Sequence, residues 1–264
     1  MSKENKEKIT PKEARQMFRE GLVATTSNWA PGYAQANLAI LPREDAYDFL
    51  LFCFRNPKPC PILEVTEAGS PEPFTVAPGA DLRTDLAGYR IFKNGECIEE
   101  TQDITGWWRD DLVAFLIGCS FSFEEALINA GVPVRHIEKG KDCPIYKTEV
   151  DCIPAGRFSG PLVVSMRPVP SQLVSRAVTV TARFPSVHGS PAHIGNPEGL
   201  GIRDLSSPDW GDPPDINPGE VPMFWACGVT PQAVALNSKP ELMITHVPAN
   251  MFITDVWNES LAAL

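Results

Sequence analysis

The chain has 264 residues, 43 % hydrophobic and 21 % charged, which suits one large globular domain or two smaller ones and indicates neither disorder nor a fibrous repeat. A formal net charge of -10 with no basic stripe disfavours nucleic acid as a partner, and the longest apolar runs, such as LVAFLIGC from Leu112, fall short of the roughly 20 residues of a membrane span. The 26 prolines and 19 glycines imply short elements joined by many loops.

The opening MSKENKEK is charged and lacks an apolar h-region, so it reads as a frayed start and not as a signal peptide. Thr10-Pro11-Lys12-Glu13 is a capping box with Pro at the first helical position, predicting a helix to about Gly21. A second helix is expected after Pro42, with Ala46, Phe49, Leu50 and Phe54 on one face, ending at the three prolines of RNPKPCP. Ile62 to Val65 reads as a strand, and YRIFKNGECIEE as a hairpin turning at Asn94-Gly95. The pattern from Trp107 to Ile117 predicts an amphipathic helix stopped by Gly118, and Ser122-Phe123-Glu124-Glu125 a second capping box closed by Gly131 and Pro133.

In the second half, GPLVVSMRPV from Gly160 and AVTVTARF from Ala177 are rich in β-branched residues and read as strands, joined through PSQLVSR by a helical turn. Val221 to Cys227, the helix opening at Thr230-Pro231, and Leu242 to Val247 give strand, helix, strand, which favours a parallel α/β layer. The expected division is a discontinuous α/β domain from 1–132 and 221–264, with a smaller α+β domain inserted at 133–220.

Chemistry is expected where Pro, Gly, His and Cys crowd together between Phe184 and Asp255, because loops of that composition hold sites more often than packing. Two turns place a reactive side chain ahead of a helix start: Cys119-Ser120-Phe121-Ser122 and Cys227-Gly228-Val229-Thr230. Free amides there suit a carboxylate, an oxyanion or a thiolate, and the bland alternative is a simple cap beside a small buried thiol. His188 and His193 lie on a bent loop, where either could move protons, or could join Asp204, Asp209 and Asp212 around a metal. Neither makes an HExxH zinc signature. His246 ends an apolar strand, and Arg55, Lys58, Arg83 and Arg167 are the cationic candidates for binding carboxylate. Seven cysteines without a CxxC pair suggest reduced thiols in a cytoplasm, and no GxGxxG or P-loop is present.

Seven segments together carry a resemblance: APGYAQANL at Ala30, FCFRNPKPCPILEVTE at Phe52, PGADLRTDL at Pro78, GCSFSFEEAL at Gly118, GPLVVSMRP at Gly160, FPSVHGSPAHIGNP at Phe184 and VPMFWACGVTPQ at Val221. In these the chain resembles a bacterial hydro-lyase family whose mammalian relative includes D-glutamate cyclase, over nearly everything from Ala14 to Asp255. The resemblance implies a three-layer α/β/α domain joined to a smaller two-layer α+β domain. It also implies a carbon-oxygen lyase that removes water, with cyclisation of D-glutamate to 5-oxo-D-proline as the concrete reaction. The chain departs from the family pattern with Ala249-Asn250 where Gly-His is usual and Asn28-Trp29 where Gly-Leu is common.

Together these readings nominate Cys119, Ser120, Glu124, His188 and His193 as catalytic. Gln35, Asn37, Arg55, Lys58, Arg83, Asp85, Ser122, Cys227, Thr230 and His246 are nominated as contacts to a small amino or hydroxy dicarboxylic acid. No cofactor or protein-bound metal is called for, and a homodimer is left open. A non-catalytic binder of an acidic metabolite and a metal-dependent hydrolase built on His188 and His193 are the competing readings.

Overall fold

Two antiparallel sheets organise the chain, and their strands alternate or run continuously apolar according to whether one face or both are covered. The computed structural model describes residues 9–263, so the charged opening MSKENKEK, expected to be a frayed start, lies outside the described residues. The Thr10 hydroxyl accepts from the Glu13 amide at 3.3 Å and the Glu13 carboxylate accepts from the Thr10 amide at 2.9 Å, which starts α1 (Pro11–Arg19) as the sequence predicts. Then follow β1 (Tyr33–Pro42), α2 (Arg43–Arg55), β2 (Ile62–Val65), β3 (Tyr89–Lys93), β4 (Glu96–Thr101), β5 (Leu112–Gly118), α3 (Glu124–Asn129) and α4 (Arg135–Lys139). The second half adds β6 (Ile145–Asp151), β7 (Pro161–Pro170), α5 (Val174–Ala182), β8 (His193–Ile194), β9 (Glu220–Ala226), α6 (Thr230–Ser238), β10 (Met243–His246) and β11 (Phe252–Trp257).

The first sheet runs β2-β5-β1-β10-β3-β4, with β11 sharing an edge of β1 with β10, and the second runs β6-β7-β9-β8. The β11 register on β1 stops at Ala36 and the β10 register begins at Ala39. Asn94 and Gly95 take φ of 49° and 83° at the predicted β3–β4 hairpin, as a type I′ turn requires.

Four expectations are corrected. Residues 112–118 form a strand and not a helix: all seven are buried between β1 and β2, and an apolar run covered on both faces carries no periodicity to separate the two. Ala177 to Ala182 is helical and not a strand: its buried Ala177 and Thr181 stand four apart, the spacing of one helix face, and Val178 and Val180 pack partly buried beside them. The inward face of α2 is Asp45, Phe49, Phe52 and Cys53, whereas Phe54 is 79 % exposed. Finally, β9 and β10 belong to different sheets and every strand pairing among the described residues is antiparallel, so no parallel layer forms there. The result is a mixed α/β fold in which β9 lies with β6, β7 and β8, although Val221 to Ala226 fall outside the expected 133–220 unit.

One face of the first sheet packs Leu38, Ile40, Leu116 and Ile244 under the segment bearing Val76, Leu82 and Leu86. The other packs Leu41, Phe115 and Met243 against Phe49 and Phe52 of α2 and Val234 and Ala235 of α6. Helix α6 also sends Ala233 against Val163 of the second sheet and Cys227 just beyond its β9 strand, so it is wedged between the two sheets. Each fully buried Leu, Ile or Phe of these clusters contributes about 1.5–3 kcal/mol. No described helix is long and apolar enough to cross a membrane.

Candidate active site

The site begins where β5 ends. Asn37 of β1 donates to the carbonyls of Ile117 and Gly118 at 3.2 and 2.9 Å, and its amide leaves no room for a side chain at residue 228. Gly118 has the same constraint from the other direction, since a Cβ there would stand 2.0 Å from the Ser186 carbonyl oxygen. Bare backbone at these two positions lets the 185–188 turn and the Cys227-Gly228 turn close over the end of the first sheet.

Next along the chain, residues 120–123 make a short 3-10 turn that runs into α3. The expected capping box does not form: Ser122 Oγ instead accepts from the Gln35 amide at 3.0 Å, and the Cys119 amide donates to the Gln35 carbonyl. That anchoring delivers Ser120 and Glu124 to the second sheet. There, Arg167 pairs with Met223 and Ser165 with Trp225 across β7 and β9, so these four residues share one face.

Arg167 is the centre of the site and is 1 % exposed. Its Nε donates to Glu124 Oε1 at 3.0 Å and its Nη2 donates to the same oxygen at closer range. Its Nη1 donates to Ser165 Oγ and its Nη2 also to Ser120 Oγ, both at 3.1 Å. The guanidinium carbon is 5.4 Å from the ring centroids of both Phe123 and Trp225, which fixes the plane of the fork. His136 Nε2 of α4 approaches the same oxygen, 3.0 Å from Glu124 Oε1.

Burial alone would raise the Glu124 carboxyl, but the charges of His136 and Arg167 overcome it and hold the group at about 2. Burial would likewise lower His136, and the Glu124 carboxylate followed by Cys143 pushes it up to about 10. At neutral pH the buried trio therefore carries one negative and two positive charges, a net charge of +1. Glu124 also lines a cleft of about 460 Å³ walled by Trp29, Gly32, Tyr33, Gln35, Phe121, Glu125, Ile128, Ile137 and Asn258. A larger depression of about 640 Å³ beside α2 is lined by Tyr47, Leu50, Phe54 and their neighbours, with no acid, base or cation.

The nominated residues separate into three groups. Ser120 and Glu124 bond Arg167 directly, and Gln35 and Ser122 carry the cleft wall. A second group is buried in structural bonds. His188, at φ 81°, has Nδ1 2.8 Å from the Lys58 carbonyl, and burial first of all lowers its ring to about 4. Lys58 Nζ donates at 3.4 Å to the His188 carbonyl and to Ser190, so the pair staples the 188 turn to the RNPKPCP loop. Thr230 Oγ1 donates to the Cys227 carbonyl at 2.7 Å and accepts from the Val163 amide. His246 Nδ1 accepts from the Leu38 amide at 3.1 Å. Burial raises the Cys119 thiol well above its ordinary range and the Cys227 thiol to about 12, so neither is a ready thiolate.

The third group lies elsewhere. Arg83 is paired with Asp81 at 2.8 Å, Asp85 with Arg19, and Arg55 donates to the Pro154 carbonyl at 2.5 Å. His193 pairs with Phe224 and so occupies the opposite face of the second sheet from Arg167, with Nε2 2.7 Å from the Asn196 carbonyl. The aspartates grouped with it in sequence are likewise satisfied locally: Asp204 by Ser206, Asp209 by the Lys147 amide and Asp212 by the Asp142 amide.

Two central side chains were not singled out in the sequence, His136 and Cys143. The only signal was that His136 is one of four histidines, in a short helix following Pro133, with Cys143 seven residues on. Ligand atoms of Glu124, His136 and Cys143 lie within 4.8 Å of one another, a donor set of the kind zinc uses. As arranged it fits a metal poorly, since Glu124 Oε1 is already engaged by two nitrogens of the Arg167 guanidinium.

A family model described as D-glutamate cyclase matches residues 113–255. The chain is 63 % identical over 259 residues to a "Putative hydro-lyase" of Thermoanaerobacter sp. (strain X514), covering 98 % of each. It is 60 % identical over 257 residues to "Putative hydro-lyase YcsI" of Bacillus subtilis, covering 97 % of this chain and all of that one. A "Putative hydro-lyase" of Stutzerimonas stutzeri is 61 % identical over 257 residues, covering 97 % of each.

Proposed function

The chain belongs to the D-glutamate cyclase family, and from that membership we propose that it is a carbon-oxygen lyase that cyclises D-glutamate to 5-oxo-D-proline with loss of water. The observation that supports the reading is the buried Arg167–Glu124–His136 trio, which reaches the wall of the cleft through Glu124 and whose net charge of +1 favours a carboxylate nearby. In a site closed to solvent, such fixed charges act strongly on the oxygen that must leave.

The reaction needs no outside reagent. The nitrogen bonds the side-chain carboxyl carbon, one carbon-oxygen bond breaks, and the two protons given up by the ammonium are the two that turn the departing oxygen into water. In this reading the Arg167 and His136 cations stabilise charge on the carboxyl oxygens while Glu124, held between them, relays protons. Ser120 and Ser165 keep the Arg167 fork aligned. Seven free cysteines, six of them buried, suit a reducing cytoplasm.

The test is chromatographic detection of 5-oxoproline from purified protein and D-glutamate, with L-glutamate as control. Product that is lost in Glu124→Gln supports the reading; stabilisation of the protein by D-glutamate with no product would make it a binding protein instead.

A further inference from the structure

The outer face of α2 is apolar where a solvated helix would be polar. Tyr47, Leu50 and Phe54 follow one another at the spacing of a helix–helix seam and are 72 %, 41 % and 79 % exposed. They line the depression of about 640 Å³ beside the helix, together with Pro57, Pro61 and Ile62 from the RNPKPCP loop and β2. A contiguous exposed apolar patch of this kind marks an interaction site.

Chemistry narrows the occupant. The residues of this chain outside the described ones, MSKENKEK and Leu264, bring only two large apolar side chains and do not match a ridge of that length. A net charge of -10 disfavours an anionic lipid surface. A second copy carries the same net charge, but this face is uncharged at its centre and of mixed sign at its edge. A twofold interface also needs knob and hole within one patch, and here the aromatic ridge and the depression adjoin.

Glu44 and Arg55, both exposed, stand on one flank of α2 about three turns apart. Arg55 Nη1 donates to the Pro154 carbonyl, which holds its guanidinium in place. When two α2 helices lie antiparallel, that flank of each faces the same flank of the other. Glu44 then meets Arg55 at both ends, Tyr47 meets Phe54 across the seam, and the two helix dipoles oppose. The four rings, at about 150–250 Å² each, withdraw on the order of 600 Å² from water, and the leucines and prolines bring the contact to about the 1,000 Å² of a modest specific interface.

We propose that the α2 face is a twofold dimer interface, each copy laying its Tyr47–Leu50–Phe54 ridge antiparallel against the other's, with Glu44 and Arg55 paired across both ends. Lys58 of the adjoining loop holds the His188 turn, so a partner seated on Pro57 and Pro61 braces that turn as well. The dimer does not depend on the reaction proposed above.

The experiment is sedimentation equilibrium of the full chain from about 1 to about 200 µM. The mass should climb from 28.9 kDa toward twice that value, with a dissociation constant on the order of 10 µM. Tyr47→Glu and Phe54→Glu should each weaken association at least about 100-fold while circular dichroism and thermal unfolding stay as in the wild type. Glu44→Arg and Arg55→Glu should each weaken it several-fold, and the double variant, which restores opposite charges across the axis, should recover most of the loss. A monomer throughout the range, a dimer that Phe54→Glu leaves intact, or a charge exchange that recovers nothing overturns the assignment. So does calorimetric binding of decanoate that Phe54→Glu abolishes while the mass stays at 28.9 kDa, since the face would then belong to an apolar ligand.

Discussion

Glu124 and His136 meet at 3.0 Å with side chains only 3 % and 4 % exposed, an ion pair formed almost entirely out of water. Each holds the other in its charged form, which ties the stability of the fold to pH.

The His136 ring is raised from 6.5 to about 10, so its contribution is complete below pH 6.5 and is lost as pH rises through 10. Glu124 is lowered from 4.5 to about 2, so its contribution is complete above pH 4.5 and is lost as pH falls through 2. His188 and His246, both lowered by burial to about 4, resist protonation and weaken the fold as pH drops from 6.5 toward 4. Thermal unfolding should therefore show greatest stability near pH 6.5. His136→Gln should flatten the alkaline limb, and an unchanged slope between pH 7 and 10 would show that the pair does not carry it.

Arg167→Met leaves the Glu124 carboxylate buried beside a single cation and should cost about 3–5 kcal/mol in urea unfolding. Adding Glu124→Gln removes the stranded charge, so the double variant should be less destabilised than the sum of the two singles by more than about 0.5 kcal/mol. Arg167→Lys keeps the charge without the fork that reaches Ser120, Ser165 and Glu124 together, and 5-oxoproline formation should fall about 100-fold or more. Simple additivity of the singles would dissolve the network.

Cys119 stands in the most reactive-looking turn of the sequence, yet it is buried and its thiol is pushed well above the ordinary range. Cys119→Ala should keep activity within about threefold, far less than the loss from deleting a catalytic nucleophile. Of the seven cysteines only Cys97 is exposed, so a thiol reagent applied to the native protein should titrate about one equivalent before unfolding releases the rest. Rapid labelling of Cys119 would contradict its placement.

Ala249 takes φ 68°, a left-handed conformation that strains any residue with a Cβ, and its carbonyl accepts from the Thr26 amide at 2.8 Å. Ala249→Gly should raise the unfolding free energy by about 1 kcal/mol, with the denaturant slope unchanged. A loss of stability would place the cost in the unfolded chain instead.

The first capping box, the β3–β4 hairpin, both early helices and the strands at 62, 161, 221 and 243 could be read directly, because each is marked by local chemistry: a reciprocal cap, an Asn-Gly turn, a proline stop. Leu112 to Gly118 could not, since burial on both faces erases periodicity, and Ala177 to Ala182 could not, since tertiary packing overrode its β-branched composition. Within the site, Glu124, Ser120 and Arg167 stood out as residue types, but what joins them is the register of β7 on β9 and the docking of Ser122 on Gln35. His136 gave almost no warning, because a lone histidine acquires meaning only from a carboxylate brought to it by the fold.

The imidazole of His246 stands at Leu38, between the end of one strand register and the beginning of the next. There a ring nitrogen substitutes for the carbonyl that a continuous neighbour would have provided. Main-chain carbonyls do not titrate in this range, but this acceptor does, and once protonated it has nothing to offer the amide. The first sheet thus contains a proton-sensitive seam at its centre, so acid should open it from within, at Leu38, before its outer strands peel away.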